Sequence, residues 1–392
     1  MHQLEELAQR HKFSVDVLSE LQRVYGTQLE NVVNALKRPP ERYFVRVNTL
    51  RTTAEDLAKR FLQKGWEAKR DETLEEALYF EISDPVEVPH FNKRIIVDKF
   101  AAESVLLGAN VYAPGIKKCS GVRKGDLVSV QDHQDQVVGA GKAIMSENEI
   151  LTFRKGLAVE VQYPMYNLPR FGEMKEFSEG FFYLQSFPAM ITTRVLNPAP
   201  GDTIVDMTCS PGGKLSHLFQ LTKGKANLIG FDRNKRKITI TRSSLEHLGF
   251  SANLIIRDSR YLDIDFPNLR ADKVLVDPPC SALGIRPKTY EFTSKGQIEA
   301  LSHYQRQFLR TASRIVRENG LVVYSVCTIT IQECEEVVNY AIEKCDLEPE
   351  SQRIFVGSQG LSDRSSAAKL LQRFHPHVQD CGYFIALFRK RA

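Results

Sequence analysis

The chain has 392 residues, 42% hydrophobic and 26% charged, a globular composition that excludes disorder, collagen and coiled coil as its main organisation. At ~150 residues per domain this length predicts two or three domains, and no apolar run approaches the ~20 residues of a membrane helix. Lys and Arg total 53 against 48 Asp and Glu, a net +5 that permits a nucleic-acid partner without demanding one.

In chain order, Leu18, Leu21, Val24 and Tyr25 stand at helical spacing, and Pro39-Pro40 ends that helical region. Residues 42–50 (RYFVRVNTL) alternate like a strand. Thr53 caps a helix predicted over 54–63, which Gly65 ends. Residues 1–6 lack a basic stretch followed by an apolar one, so no secretion signal is expected. After Pro89 the composition shifts. Short β-rich runs between 94 and 161, split by glycines such as Gly108, Gly121 and Gly139, predict a small barrel or sandwich. Pro164, Pro169 and Gly172 mark a linker. From Gly201 onward, apolar runs at 203–207, 228–232, 254–257, 273–277 and 321–326 alternate with helical patterns. That rhythm predicts a doubly wound, mostly parallel sheet, with ligands at the carboxyl ends of its strands. The predicted domains are 1–92, 93–168 and 169–392.

Seven cysteines, Cys119, Cys209, Cys280, Cys327, Cys334, Cys345 and Cys381, are an odd set without CxxC spacing. Neither a disulfide scaffold nor a bound metal is predicted. Three polar signals lie at predicted strand ends. The first runs Asp206, Met207, Thr208, Cys209, Ser210, Pro211, Gly212, Gly213, Lys214, a glycine turn between strand and helix that lets backbone approach a ligand. Asp232, ending the next strand, suits ribose hydroxyls, and Asp258, after the third, suits the surroundings of an adenine ring. Three acids on successive strand ends point to an adenosine-containing cofactor. The turn matches neither GxGxxG nor GxxxxGK[ST], which disfavours a dinucleotide and excludes a P-loop. The second signal is Asp277-Pro278-Pro279-Cys280-Ser281, whose prolines stiffen the backbone and whose carboxylate can hold the amino and ring-nitrogen edge of cytosine. The third is Tyr324-Ser325-Val326-Cys327-Thr328. Thr330 and Glu333 read as a capping box for a helix whose apolar face is Val337, Val338, Ala341, Ile342 and Cys345. Cys327 then precedes a helix N-terminus, whose dipole favours a thiolate. Cys334, Cys345 and Cys381 read as inert buried thiols.

These residues carry a resemblance. Residues 183–390, with Tyr183-Leu184-Gln185, Pro211–Lys214, Asp232, Asp258, DPPCS, SVCT, RFHPH from Arg373 and GYFIA from Gly382, resemble the Nop/Sun-type RNA cytosine-5 methyltransferases. The run Arg46-Val47-Asn48-Thr49-Leu50 resembles that family's N-terminal RNA-binding unit. Residues 94–161, through AAESVLLGANV, APGI, KGDLVSV and GAG, look like a PUA domain. The family implies a Rossmann-like S-adenosylmethionine-dependent methyltransferase core beside a small N-terminal α/β unit and a β-rich PUA barrel. S-adenosylhomocysteine is the implied product. An internal PUA implies the branch acting on tRNA acceptor stems near the 3′ CCA end. Three positions depart from the family pattern: the order Thr208, Cys209, Ser210; Val326 before Cys327, where threonine is common; and Ala282, where glycine is usual.

C5 of cytosine is a poor nucleophile, and a thiolate adding at C6 turns it into an enamine-like carbon. The resemblance assigns that addition to Cys327 and the breaking of the adduct to Cys280. Asp277 is expected to hold the base edge, and Lys214 to touch the base or assist its protonation. In the PUA segment Lys117, Lys118, Arg123 and Lys124 are expected on phosphates and Tyr112 on an unpaired base. Two other readings are weighed. An exocyclic-amino methyltransferase usually places an aromatic residue where Cys280 stands, and leaves Cys327 idle. A non-catalytic RNA-binding or assembly protein has no need for Lys214, Asp277, Cys280 and Cys327 together. No membrane, no obligate protein partner and a cytoplasmic setting complete the expectation.

Overall fold

The computed structural model describes residues 2–392. Three helices open the chain: His2–His11, Val15–Tyr25 and Leu29–Lys37. Ser14 caps the second by accepting the Val17 N–H. Leu18, Leu21, Val32 and Leu36 point to one side, but they do not close on themselves. They pack on Leu283, Ile298 and Ile329 from the far half of the chain.

The strand Arg42–Val47 follows, and the helix occupies Ala54–Gln63 as the pattern predicts, with the Thr53 hydroxyl accepting the Asp56 N–H. This strand lies between Ala77–Glu81 and Phe182–Leu184 in a four-stranded antiparallel sheet. Phe182–Leu184 arrives only after the whole β-rich segment, which is thus inserted into this unit. The insertion is a six-stranded sheet, Lys93–Val97 to Leu157–Pro164, closed over a valine-rich core with the helix Lys99–Leu106. Gly141 is required there: a Cβ would lie 2.0 Å from the Glu160 carbonyl oxygen.

The third sheet has nine strands. Asn253–Ile256, Asn227–Asp232, Thr203–Asp206, Ala271–Val276 and Val316–Val326 run parallel in that spatial order. Tyr383–Lys390 and Gln372–Phe374 extend it antiparallel. Each apolar run from Gly201 onward falls on one parallel strand. The order reverses between Thr203–Asp206 and Ala271–Val276, a switch point where crevices open at the carboxyl ends. Among the described residues no helix is long and apolar enough to cross a membrane.

One local expectation fails. Thr330 and Glu333 form no capping box. The helix begins at Glu335, and its N-cap, Cys334, makes no side-chain cap. The Glu333 carboxylate is turned into the protein, where other donors occupy it. Val337, Val338, Ala341 and Cys345 are buried as the pattern predicts.

Candidate active site

Two cavities meet at the carboxyl ends of the parallel strands. The smaller, of about 300 Å³, is lined by Asp232, Asp258, Pro278, Pro279 and Tyr304. The larger, of about 490 Å³, is lined by Tyr183, Pro211, Gly213, Lys214, Cys381 and Tyr383. Thr208, Ser210, Asp277 and Cys327 face both. A donor held on one side can therefore face an acceptor held on the other.

The glycine turn shapes the first side. Gly212 has φ +109°, where a side chain is strained, and caps the helix Gly213–Leu221. Thr208 donates its hydroxyl to the Asp277 carbonyl (2.8 Å). Cys209 points inward beneath Gly230, so it offers backbone rather than a thiol, and burial pushes its pKa up. Ser210 reaches the Lys237 carbonyl at 3.4 Å. Asp232 accepts the Asn234 N–H at 2.9 Å through Oδ1, while Oδ2 has only the Lys237 ammonium at 3.9 Å. That leaves an acceptor fit for hydroxyls. Asp258 is bound to Arg260 (2.6 Å), whose hydrogen bond holds its carboxyl below the usual range. Arg260 in turn lies 4.7 Å from the Tyr304 ring centre. Asp258 thus braces an aromatic wall more than it offers a free charge. Asp206, beneath the turn, is buried, and burial together with Asp277 pushes it up to about 7.

The second side holds the thiols. Cys280 and Cys327, on different loops, stand with sulfurs 3.4 Å apart. Lys214 Nζ bonds Asp277 Oδ2 at 2.5 Å, and the Ser325 hydroxyl donates to Asp277 Oδ1 at 3.1 Å. Burial opposes the charge on Lys214, but the Asp277 carboxylate and the Tyr383 hydroxyl together outweigh it and raise its pKa. Contact with the Cys280 thiol lowers the Cys327 pKa and Lys214 and Lys288 assist, while burial and the Asp277 carboxylate oppose it; Cys280 is raised. The helix-dipole expectation for Cys327 is therefore corrected. The helix starts at Glu335, too far along the chain to act, and a neighbouring thiol and two lysines take its place. Gly284 N donates to the Cys327 carbonyl (3.0 Å), and Gly382 N to the Gly284 carbonyl (2.8 Å). These bonds bring three loops together at the thiols.

A family model for the 16S rRNA methyltransferase RsmB/F matches residues 193–389. A Pyrococcus horikoshii protein named tRNA (cytosine(72)-C(5))-methyltransferase is 37% identical over 387 residues, covering 96% of this chain and 97% of that one. The chain belongs to the RsmB/F family of RNA methyltransferases. Models for a PUA domain and for the RsmF/B-like ferredoxin-like domain match 93–163 and 17–87. Mouse tRNA (cytosine(72)-C(5))-methyltransferase NSUN6 is 28% identical, over 90% of this chain and 82% of that one. The crystal structure of NSun6 from P. horikoshii with SFG, an S-adenosylmethionine analogue, superposes with a TM-score of 0.88 at 36% identity, over 97% and 99% of the two chains. The resemblance read from the motifs is borne out, and with it the fold class, the RNA cytosine-5 methyltransferase activity and S-adenosylmethionine as cofactor.

For an RsmB/F enzyme two placements are unanticipated by the motifs. Arg46, in the run likened to an RNA-binding unit, is buried. It binds Gln185 (2.5 Å), the Gly213 carbonyl (2.6 Å) and the Ser216 hydroxyl (2.6 Å), bracing the glycine turn. Cys381 and Tyr383 line the larger cavity, with Lys214 Nζ 5.7 Å from the Tyr383 ring centre. Burial pushes the Cys381 thiol up to about 12. The one signal for them was their place in the last segment; only the antiparallel return of the Tyr383–Lys390 strand beside Val316–Val326 brings them to the site. Tyr112, Lys117, Lys118, Arg123 and Lys124 are exposed on the PUA fold, and none lines either cavity.

Proposed function

We propose that this enzyme methylates C5 of cytosine 72 in the tRNA acceptor stem, next to the 3′ CCA end. The observation that carries the proposal is the pair of thiols 3.4 Å apart beside the Lys214–Asp277 pair, where two cavities meet. The tRNA and the nucleotide come from the relatives named for that reaction and from the internal PUA match. Thr208, Pro211–Lys214, Asp232, Asp258 and Asp277 hold the cofactor, with backbone from Cys209 and Ser210. S-adenosylmethionine, when bound, supplies an electrophilic methyl group.

In this reading the Cys327 thiolate forms a bond to C6, and the electrons of the C5–C6 double bond make C5 nucleophilic. Asp277 holds the N3–N4 edge, and Lys214 offsets the charge that develops on the ring. After methylation, loss of the C5 proton breaks the bond to Cys327, with Cys280 promoting that step. A base-paired target must leave the stack, at a few kcal/mol, and a pair near the helix end opens more readily. The exposed Lys117, Lys118, Arg123 and Lys124 bind backbone phosphates and Tyr112 stacks on an unpaired base. We take the units as 1–92 together with Phe182–Leu184, which completes its sheet, 93–168 inserted between them, and the rest of 169–392. Seven cysteines in no disulfide fit a reducing cytoplasm.

Unmodified tRNA transcripts with labelled S-adenosylmethionine, mapped by bisulfite sequencing, test the substrate. Methyl transfer to position 72 is expected, with none in Cys327→Ala. Cys280→Ala should instead accumulate a protein–RNA adduct on denaturing gels. An adduct in Cys327→Ala reverses the roles, and transfer elsewhere in the tRNA overturns the acceptor-stem reading.

A further inference from the structure

We propose that Glu333 is a positioning residue that keeps the two thiol-bearing loops in register and so sets how fast the covalent adduct is released. The proposal rests on the roles of Cys327 and Cys280 given above.

Glu333 is fully buried and lines neither cavity. One of its oxygens accepts the Ser281 N–H and the Gln305 amide, both at 2.9 Å. The other accepts the Ser281 hydroxyl at 2.5 Å, Thr330 at 3.1 Å and Thr328 at 3.2 Å. Ser281 directly follows Cys280, and Thr328 directly follows Cys327. Their two hydroxyls lie 2.7 Å apart across the carboxylate. Gln305 also donates to the Pro279 carbonyl (3.0 Å), so Cys280 is gripped on both sides.

No Lys or Arg forms an ion pair with Glu333 among the described residues. A carboxylate buried without a cation persists only where several donors compensate it. Helix capping does not account for it, since the helix N-cap is Cys334 and uncapped. Simple core filling does not either, because an apolar side chain of that size serves as well or better. What the carboxylate does is fasten the residue after one thiol to the residue after the other. Addition at C6 brings only Cys327 to the base and feels the clamp only through the Cys280 contact that favours the thiolate, a loss that higher pH restores. Release needs Cys280 placed against the adduct on Cys327, and is the step that a loosened clamp harms.

The test compares Glu333→Gln with the wild type and Cys280→Ala, using single-turnover adduct formation and the steady-state adduct fraction on denaturing gels. Glu333→Gln should raise the adduct fraction about tenfold while slowing adduct formation by much less. In a Cys280→Ala background it should add nothing. If it lowers adduct formation and turnover in proportion, with the adduct fraction unchanged, Glu333 is structural only and the proposal fails. If Cys280→Ala itself accumulates no adduct, the underlying role of Cys280 is what fails. Should Glu333→Gln not fold, Ser281→Ala with Thr328→Val removes two donors from the clamp and takes the same readout. Glu333→Asp, which keeps the charge, should show a smaller rise than Glu333→Gln.

Discussion

Cys327 illustrates what a neighbour does to a thiol. A free cysteine titrates at about 8.5; here contact with the Cys280 thiol favours the thiolate, with help from Lys214 and Lys288 against burial and Asp277. Adduct formation should therefore rise with pH and reach half its maximum below the ordinary thiol value. In Cys280→Ala that contact is gone, so the half-point should move to higher pH. A pH series of single-turnover adduct formation checks this, and an unmoved half-point shows that Lys214 and Lys288 suffice. The two cysteines, the lysine and the aspartate were legible as residues because each stands at a predicted strand end in a known motif. Which charges and donors face which was not, since Lys214 meets Asp277 across 63 positions and Cys280 meets Cys327 across 47. Ala282, where the family's glycine is usual, adopts φ +56°, a conformation that strains any residue with a Cβ. The motif comparison marks the departure, and only the backbone shows the strain.

At the scale of elements, the helix over 54–63 and the parallel strands were legible because caps and periodicity are local. The capping box at Thr330 was misread because a T-x-x-E pattern satisfies a helix N-terminus only if no stronger set of donors competes for the glutamate. Strand pairing also hid the role of Arg46. From the pattern it belongs to a unit that meets RNA; in the fold it is a buried link from the strand Arg42–Val47 to the start of the helix Gly213–Leu221. Burial pulls its pKa down to about 9, so the guanidinium is held at some expense and its loss leaves buried acceptors unpaired. Arg46→Ala should lower stability by about 3 kcal/mol in urea unfolding, since three buried neutral acceptors lose their donor. It should also raise KM for S-adenosylmethionine more than it lowers kcat, because the turn that it braces holds the cofactor. An unchanged KM would confine Arg46 to folding.

Across the whole molecule, buried histidines couple the units to pH. His217, on a helix of the large sheet, bonds Glu76 of the ferredoxin-like unit at 2.9 Å, and Arg194 holds the same carboxylate at 2.6 Å. Burial draws His217 down to about 4, and His375 likewise to about 4. Between pH 6.5 and 4 the unfolded chain binds protons at both that the folded chain does not. Stability is therefore lost as pH falls through that window. Asp206, raised to about 7, acts the other way: its protonated form is favoured in the fold, so its contribution falls as pH rises from about 4 to 7. Two protons outweigh one, and of these three groups the net effect is destabilisation on acidification. Thermal melts from pH 7 to 4.5 should show the midpoint dropping, and His217→Gln should flatten that slope. A slope that His217→Gln leaves unchanged would assign the effect elsewhere.

The sequence by itself determined the reaction class, the cofactor and the three kinds of fold unit. Short-range signals placed the strands, the glycine turn and the two strand-end cysteines, and the family resemblance that those motifs carry supplied the reaction and the kinds of unit. Only the tertiary structure decided that the PUA segment interrupts a sheet completed by Phe182–Leu184, and that the opening helices lean on Leu283 and Ile329. It alone also joined the two thiol loops through Glu333. Each of these is a pairing between distant positions, made by burial and hydrogen bonding that local pattern does not encode.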